Sequence, residues 1–176
     1  MTPPFVSVVI PARNEERTIV ACLDAVLSQD WPPDRMEIIV ADGMSDDATR
    51  RLVDEYSRRD ARVRLIDNPG RIVPGGMNRA IASARGEFIV RVDGHTIIAN
   101  DYVTVSIETL QRTGAEGAGG GMTPIVSPGF AGAVALATSS PIGVGNSSFH
   151  YAREETDSDS VYLGAYPKAT FERFGG

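Results

Sequence analysis

A short run of strand-forming residues ends in a carboxylate, a glycine and an imidazole in the stretch Glu87-Phe88-Ile89-Val90-Arg91-Val92-Asp93-Gly94-His95. Its β-branched and aromatic side chains favour a strand, and the glycine favours a turn directly after it. Such a turn can aim Asp93 and His95, two residues apart, at one point. A carboxylate and an imidazole together can hold a divalent cation. The stretch therefore predicts a cation site that faces an anionic group.

The residues before this stretch alternate between strand and helix patterns. Strand-like runs at Phe5–Ile10, Glu37–Ala41 and Arg62–Ile66 precede the strand of the opening stretch. Asn14 is expected to cap the first helix. Apolar residues at helical spacing follow each run, at Ile19, Cys22, Leu23, Val26 and Leu27, then at Leu52, Val53 and Tyr56, then at Met77, Ala80, Ile81 and Ala84. This alternation predicts an α/β fold with a mostly parallel sheet and right-handed crossovers.

Polar residues follow the strands at their carboxyl ends. In parallel sheets, ligands bind in the crevice beyond these ends. The residues at these positions are Asn14, Glu15, Asp42, the segment Arg71–Asn78, and Asp93-Gly94-His95. We therefore expect them to converge on one edge of the sheet and to form a ligand site.

The composition is that of an ordinary globular domain of 176 residues, with 42% hydrophobic and 23% charged residues. The net charge of −6 gives no support for a nucleic-acid partner. The single cysteine, Cys22, excludes an internal disulfide and fits a reducing compartment. The N-terminus lacks signal-peptide features, and no run reaches the ~18 apolar residues of a membrane span. We expect a cytoplasmic domain, whose longer parent protein can still be membrane-associated.

The common nucleotide-binding motifs are missing from the turn after the first strand. That turn reads Pro11-Ala12-Arg13-Asn14-Glu15-Glu16. It lacks both the Gly-rich fingerprint of NAD and FAD proteins and a P-loop. It also lacks the Gly-rich, basic phosphate loop expected of a nucleotidyltransferase, a first alternative that would share the α/β sheet and a carboxylate-held metal. A non-enzymatic binding module is the second alternative.

The pattern becomes less regular after His95. Residues 124–160 are rich in Gly, Ser, Pro and Ala. The elements expected in this half are a helix from the cap residue Asp101 to Thr113, a weak strand over Ala118–Met122, a helix near Phe130–Thr138, a strand over Val161–Tyr166 and a helix over Lys168–Phe174.

Four blocks occur in a fixed order within about the first 100 residues: Val6–Glu15, Ala41–Asp47, Asn78–Glu87 and Asp93-Gly94-His95. Together they resemble family 2 glycosyltransferases. The Arg91-Val92-Asp93-Gly94-His95 variant is most similar to enzymes that build bacterial exopolysaccharide, of the succinoglycan type. The resemblance implies a GT-A fold, a Rossmann-like nucleotide-binding α/β sandwich. It also implies inverting, metal-dependent transfer of a sugar from a nucleoside-diphosphate sugar to a saccharide or lipid-linked acceptor.

The resemblance assigns roles to individual positions. Asp42 would accept a hydrogen bond from the base, and Arg71 would lie near the diphosphate. The full set of implied nucleotide-sugar-binding residues is Pro11, Ala12, Asn14, Glu15, Asp42, Arg71, Gly75, Gly76, Asn78 and Asp93. Asp93 and His95 would hold the divalent metal, Mn²⁺ or Mg²⁺, in place of the family's Asp-x-Asp. Histidine suits Mn²⁺ better than Mg²⁺, which prefers an all-oxygen shell.

The resemblance leaves the catalytic base unassigned. In the family, that base lies in a Glu-Asp motif beyond the position of Gly176, so a C-terminally truncated chain is expected. Residues 1–176 would form a single GT-A domain, with a nucleotide-sugar-binding half over 1–100 and an incomplete acceptor-side half over 101–176. The alternative is a nucleotide-sugar-binding fragment or module without efficient transfer. Apolar surface around Val161–Phe174 also predicts self-association.

Overall fold

The computed structural model describes residues 2–121, 155–158 and 161–175. Its strands are β1 (Val6–Ala12), β2 (Met36–Asp42), β3 (Val63–Asp67), β4 (Phe88–Arg91), β5 (Ala118–Gly120) and β6 (Tyr162–Pro167). Its helices are α1 (Ile19–Leu27), α2 (Thr49–Arg59), α3 (Val73–Ser83), α4 (Tyr102–Thr113) and α5 (Lys168–Phe174), with a 3-10 turn at Pro33–Arg35. The helix expected near Phe130–Thr138 lies outside the described residues.

The strands form one sheet in the order β3-β2-β1-β4-β6-β5. β1 pairs in parallel with both β2 and β4, and β2 pairs in parallel with β3. β6 runs antiparallel to β4, so that Ile89 faces Tyr166. The mostly parallel α/β sheet predicted from the sequence is therefore confirmed. The chain leaves β1 toward β2 on one side and returns to β4 on the other, which makes the β1–β4 gap the switch point of the sheet.

The central strands are buried because they carry runs of aliphatic side chains. All seven residues of β1 and all seven of β2 are buried. One core cluster joins Val9, Ile39 and Ile89 of adjacent strands to Ala80 and Ile81 of α3. Each fully buried valine or isoleucine contributes ~1.5–3 kcal/mol relative to exposure. This packing holds β1, β2 and β4 in register beneath the strand ends.

The predicted helix faces are confirmed, but one predicted cap is wrong. The stripe Ile19, Cys22, Leu23 and Val26 of α1 is fully buried. Asn14 does not cap this helix, since α1 begins at Ile19 and its N-cap position is Thr18. Asn14 instead adopts a left-handed conformation, with φ 57°. Its side-chain oxygen accepts a hydrogen bond from the Asp46 backbone at 3.1 Å, which ties two strand-end loops together.

A buried carboxylate connects several strands at the amino-terminal end of the parallel sheet. Glu37 of β2 is 1% exposed at its side chain and accepts a hydrogen bond from the Ser7 hydroxyl of β1 at 2.7 Å. It also accepts the Arg85 backbone N–H at 2.7 Å, and it pairs with the Arg64 and Arg85 guanidinium groups at 3.2 and 3.1 Å. Ser7 in turn accepts the Gly86 N–H at 2.9 Å. Glu37 thus connects three strands and the link before β4.

The chain forms two compact units, one of Met1–Ala118 with Ala165–Gly176, and one of Gly119–Gly164. All the strand ends discussed below belong to the first unit. In the part of the chain that the structure describes, no helix is long and apolar enough to cross a membrane. The division into a nucleotide-sugar-binding half and an acceptor-side half stays a prediction, as does self-association.

Candidate functional site

A cleft opens at the carboxyl ends of the parallel strands, above the β1–β4 gap. The end of β1 contributes one wall, and the residues after β4 contribute the facing wall. The loop between β3 and α3 closes a third side. The lining residues are Pro11, Ala12, Arg13, Glu15, Gly43, Asn68, Arg71, Ile72, Val73, Arg91, Asp93 and His95. Part of the predicted set of strand-end residues therefore converges on one edge of the sheet.

The structure brings only part of the predicted residue set to this cleft. The predicted residues that line it are Pro11, Ala12, Glu15, Arg71, Asp93 and His95. The predicted residues outside its lining are Asn14, Asp42, Gly75, Gly76 and Asn78. Ile72 and Val73 of the predicted segment Arg71–Asn78 also line the cleft. The lining residues that the sequence did not single out as site residues are Arg13, Gly43, Asn68 and Arg91. Arg13 lies within the Val6–Glu15 block, and Arg91 begins the Arg91–His95 variant, so their positive charge beside a predicted anion site was the available signal.

The cleft is locally positive although the chain carries a net charge of −6. Its lining includes three arginines, Arg13, Arg71 and Arg91, and two carboxylates, Glu15 and Asp93. With a neutral imidazole, these lining groups give a formal charge of +1. Guanidinium groups in a strand-end cleft suit a phosphate-bearing ligand, because they can donate two parallel hydrogen bonds to its oxygens.

Asp93 is held by the arginine at the end of β4. Arg91 donates from Nε to Oδ1 at 2.9 Å and from Nη2 to Oδ2 at 3.2 Å. The Asp93 side chain is 18% exposed, so this pair is partly shielded from water. The Cys22 thiol contacts the Asp93 backbone oxygen from below at 3.5 Å. Burial raises the pKa of this thiol to about 12, which keeps it protonated and unreactive.

His95 contacts a residue of the first loop, 80 positions away in the sequence. Its Nδ1 lies 2.9 Å from Oε1 of Glu15. The His95 side chain is 58% exposed, whereas that of Glu15 is 23% exposed. Gly94 permits this approach because a Cβ there would lie 3.3 Å from Cγ of Glu15. The two predicted metal ligands thus face one cleft, each with a protein partner.

Asp42 lies outside the cleft lining, and both of its carboxylate oxygens accept hydrogen bonds. Its carboxylate is fully buried and accepts the Ser45 hydroxyl at 2.6 Å and the Arg50 guanidinium at 3.3 Å. Arg50 also reaches Asp67 at the end of β3, at 2.7 Å. A base that hydrogen-bonds to Asp42 would have to displace Ser45 or Arg50. Its neighbour Gly43 is the residue that lines the cleft.

The loop before α3 presents Arg71 in a strained conformation. Arg71 has φ 59°, and its N–H donates to the Asn68 carbonyl at 3.0 Å. The Asn68 amide donates to the Ile72 carbonyl at 2.9 Å, which closes the loop. Gly76 is needed for packing, because a Cβ there would lie 2.8 Å from the same amide nitrogen. Gly75 and Gly76 therefore allow the start of α3 to pack closely against the Asn68 side chain. Asn78 is exposed on α3.

The donor set fits a metal that binds together with a phosphate ligand. Within residues 2–121, 155–158 and 161–175, no three His, Cys, Asp or Glu side chains cluster closely enough to hold a metal by themselves. Asp93 and His95 supply one carboxylate and one imidazole at the cleft. Divalent ions in phosphate-transfer sites keep few protein ligands and complete their shell with substrate oxygens and water. Asp93 and His95 therefore suit this kind of shared site.

Comparison with known proteins agrees with this architecture. The family model described as Glycosyl transferase family 2 matches residues 7–159. The Methanococcus voltae dolichyl N-acetyl-alpha-D-glucosaminyl phosphate 3-beta-D-2,3-diacetamido-2,3-dideoxy-beta-D-glucuronosyltransferase is 32% identical over 92% of this chain and 52% of that protein. The succinoglycan biosynthesis protein ExoA of Rhizobium meliloti is 33% identical over 80% of this chain and 43% of that protein. The chain thus spans about half the length of these relatives.

Two solved structures have the same fold. The mannosyltransferase PcManGT from Pyrobaculum calidifontis, in complex with GDP-Man and Mn²⁺, superposes with a TM-score of 0.72 at 22% identity, over 99% of this chain and 48% of that one. TarS 1-349 of S. aureus in complex with UDP gives a TM-score of 0.66 at 19% identity, over 97% of this chain and 48% of that one. The predicted GT-A fold is confirmed by this likeness. The predicted resemblance to succinoglycan-type proteins is likewise confirmed, and the chain belongs to glycosyl transferase family 2.

Proposed function

We propose that this chain forms the donor-binding part of a cytoplasmic, inverting and metal-dependent glycosyltransferase in polysaccharide biosynthesis. It would take a sugar from a nucleoside-diphosphate sugar, for a saccharide or lipid-linked acceptor. The observation that carries this proposal is the positive cleft at the β1–β4 switch point, where Arg13, Arg71 and Arg91 stand beside Asp93 and His95. Relatives named as glycosyltransferases support the same reaction class.

The proposed donor pose assigns the lining residues to the parts of a nucleotide sugar. Pro11 and Ala12 at the end of β1 line the cleft and would contact the base and ribose. The three arginines face the region where the diphosphate would lie. Asp93 and His95 would hold the metal against that diphosphate, and the imidazole favours Mn²⁺ over Mg²⁺. Asp42 would accept a hydrogen bond from the base after the Ser45 or Arg50 side chain has moved away from its carboxylate.

The chemistry is a displacement at the anomeric carbon of the sugar. The acceptor oxygen forms a bond to the anomeric carbon. The bond between this carbon and the diphosphate oxygen breaks at the same time, and its electron pair leaves with the diphosphate. Asp93 and His95 would hold a divalent metal, which would supply Lewis-acid neutralisation of this leaving group. Arg71 and Arg91 would add fixed positive charge to the same group. The proton of the acceptor hydroxyl goes to a carboxylate base, a role that no described residue is assigned.

Calorimetry tests the donor site directly. We expect UDP or GDP to bind in the presence of Mn²⁺, more weakly with Mg²⁺, and more weakly still with EDTA. Asp93→Asn should weaken the Mn²⁺-dependent binding at least ~10-fold, because a charged metal ligand is lost. Asp34→Asn is the matched control, since Asp34 is 81% exposed and outside the cleft. Absence of binding for both nucleotides with Mn²⁺ would refute the proposal, and equal affinity with Mg²⁺ would refute the Mn²⁺ preference.

A product assay separates the transferase from the alternative of a nucleotide-sugar-binding module. Release of UDP or GDP from a nucleotide sugar, coupled to acceptor glycosylation, supports the transferase. Nucleotide binding without any glycosylated product supports the binding module. The assay should use saccharide and lipid-linked acceptors in parallel, because both kinds are open.

A further inference from the structure

Glu15, which contacts His95, is itself held in place by several hydrogen bonds. The Glu15 N–H donates to the Thr49 hydroxyl of α2 at 2.7 Å, and Thr49 is fully buried. Oε2 of Glu15 accepts the Thr18 hydroxyl at 2.9 Å. The Glu15 carbonyl accepts two N–H groups at the start of α1, both at 2.9 Å. The other carboxylate oxygen, Oε1, lies 2.9 Å from Nδ1 of His95.

This contact selects one form of the imidazole. An ionised carboxylate can only accept hydrogen bonds, and a neutral imidazole carries a hydrogen on one of its two nitrogens. Glu15 therefore stabilises the form with hydrogen on Nδ1. The other nitrogen, Nε2, keeps its lone pair, and it is the nitrogen of this half-exposed ring that is left for a ligand. A second partner of this kind typically fixes the tautomer and the ring orientation of a metal-binding histidine.

We infer that Glu15 is a positioning residue, which holds His95 as the Nδ1–H tautomer so that Nε2 can ligate the metal of the donor complex. This inference rests on the proposed function for the identity of the ligand. It changes the role of Glu15 from a direct nucleotide-sugar-binding residue to one that acts through His95. The close fit of Gly94 against Glu15 and Ala12 supports the same role, because it fixes the turn that carries the imidazole.

The first test needs neither metal nor nucleotide. Long-range ¹H–¹⁵N spectra of the ¹⁵N-labelled chain report which imidazole nitrogen carries hydrogen, at a pH where the spectra show both rings neutral. The sequence has two histidines, so the His150→Gln variant assigns the His95 signals. We expect the Nδ1–H form in the native chain and a shift toward Nε2–H in Glu15→Ala. Glu16→Ala is the control, because Glu16 contacts the Ala48 backbone instead and should leave the tautomer unchanged.

The second test measures Mn²⁺ affinity in the presence of UDP and of GDP, using the nucleotide that binds. Glu15→Ala should weaken Mn²⁺ binding ~10- to 100-fold, the usual effect of losing such a partner. Glu15→Gln should recover part of this loss, because its amide oxygen can still accept from Nδ1. Nucleotide affinity measured without metal should change little in Glu15→Ala, whereas a direct contact to base or ribose would lower it.

The outcomes distinguish this inference from the proposed function. An Nε2–H tautomer in the native chain, or an unchanged tautomer in Glu15→Ala, overturns the positioning role. So does a loss of Mn²⁺ affinity in Glu16→Ala as large as that in Glu15→Ala. If neither nucleotide binds, the proposed donor site fails, and the tautomer spectra still decide whether Glu15 orients His95. Matching circular dichroism spectra for the variants confirm that each is folded.

Discussion

Replacing Glu37 by alanine should destabilise this chain more than any comparable change on its surface. The carboxylate is 1% exposed and accepts hydrogen bonds from the Ser7 hydroxyl and the Arg85 N–H, both at 2.7 Å. It also compensates the Arg64 and Arg85 guanidinium groups. Its removal leaves a buried hydroxyl and two positive charges without their partner. The ends of β1, β2 and β3 would lose a shared connection.

The magnitude follows from these contacts. Breaking a buried ion pair by removing one partner costs ~3–5 kcal/mol, a figure that includes the partners left behind. The exposed parts of Arg64 and Arg85 reduce this cost, since water replaces some of the lost contacts, so we expect ~3–4 kcal/mol. Domains have unfolding free energies of ~5–15 kcal/mol, so the loss is a large fraction of the total. With a urea m-value of ~2 kcal/mol/M, the unfolding midpoint should fall by ~1.5–2 M.

Urea unfolding followed by circular dichroism measures this change. Glu55→Ala is the matched control, because Glu55 forms an exposed pair with Arg51 within α2. Such pairs contribute only ~0.2–1 kcal/mol, so the control midpoint should move little. A midpoint for Glu37→Ala that falls no further than the control midpoint would refute the reasoning. It would mean that water reaches this end of the sheet and compensates the lost contacts.

Three other predictions concern pH, the cleft and the backbone. Burial raises the pKa of Glu37, but the Arg85 N–H, the Ser7 hydroxyl and the nearby guanidinium groups outweigh this effect and hold the pKa below 4.5. The ionised Glu37 carboxylate therefore contributes to folding stability above pH 4.5, and this contribution is lost as the pH falls through the folded-state pKa. Arg91→Met should tighten Mn²⁺ binding in the absence of nucleotide, by up to ~10-fold, because Asp93 loses a competing cation, and should weaken binding of UDP or GDP. Gly86→Ala should cost ~3 kcal/mol or more, because its Cβ would lie 2.5 Å from the Ser7 nitrogen.

Each of these has its own control. The stability gap between the native chain and Glu37→Gln, followed by urea unfolding, should narrow only below pH 4.5; a gap that is constant down to pH 3 contradicts the pH argument. Calorimetry of Arg91→Met is compared with Arg17→Met, an exposed arginine outside the cleft lining, and weaker Mn²⁺ binding in Arg91→Met contradicts the competition. Gly70→Ala meets its nearest neighbour at 3.5 Å, so equal losses in Gly70→Ala and Gly86→Ala would contradict the steric argument.

The sequence predicts the strands and helices well because their signals are local. The apolar run at Val6–Ile10 specifies a buried strand, and the spacing of Ile19, Cys22, Leu23 and Val26 specifies one buried helix face. The sequence predicts the conformation of the loop after β1 less well. Asn14 has a residue type that caps helices, but its side chain binds the Asp46 backbone of another loop. Its partner is 32 residues away, so no local pattern reveals the choice.

In the candidate site, too, local sequence patterns do not reveal which side chains become partners. The positions of Asp93 and His95 at a strand end were sufficient to place both in the cleft. For Asp42 the sequence predicts a contact with a base, but it does not reveal the protein partners Ser45 and Arg50 that the structure shows. Arg91 was read as part of a strand, although its guanidinium is the partner of Asp93. Side-chain partners of this kind depend on rotamers and on neighbouring elements, which spacing alone does not specify.

The sequence by itself determined the family, the alternation of strands and helices, and the edge of the sheet on which the charged residues meet. These follow from periodicity and from motif order, which are properties of the chain read locally. The tertiary structure alone decided which groups are partners. It buried Glu37 between strands and set Glu15 against His95, 80 residues later. Hydrogen bonds act over about 3 Å in space, and only the folded chain brings such distant residues within that distance.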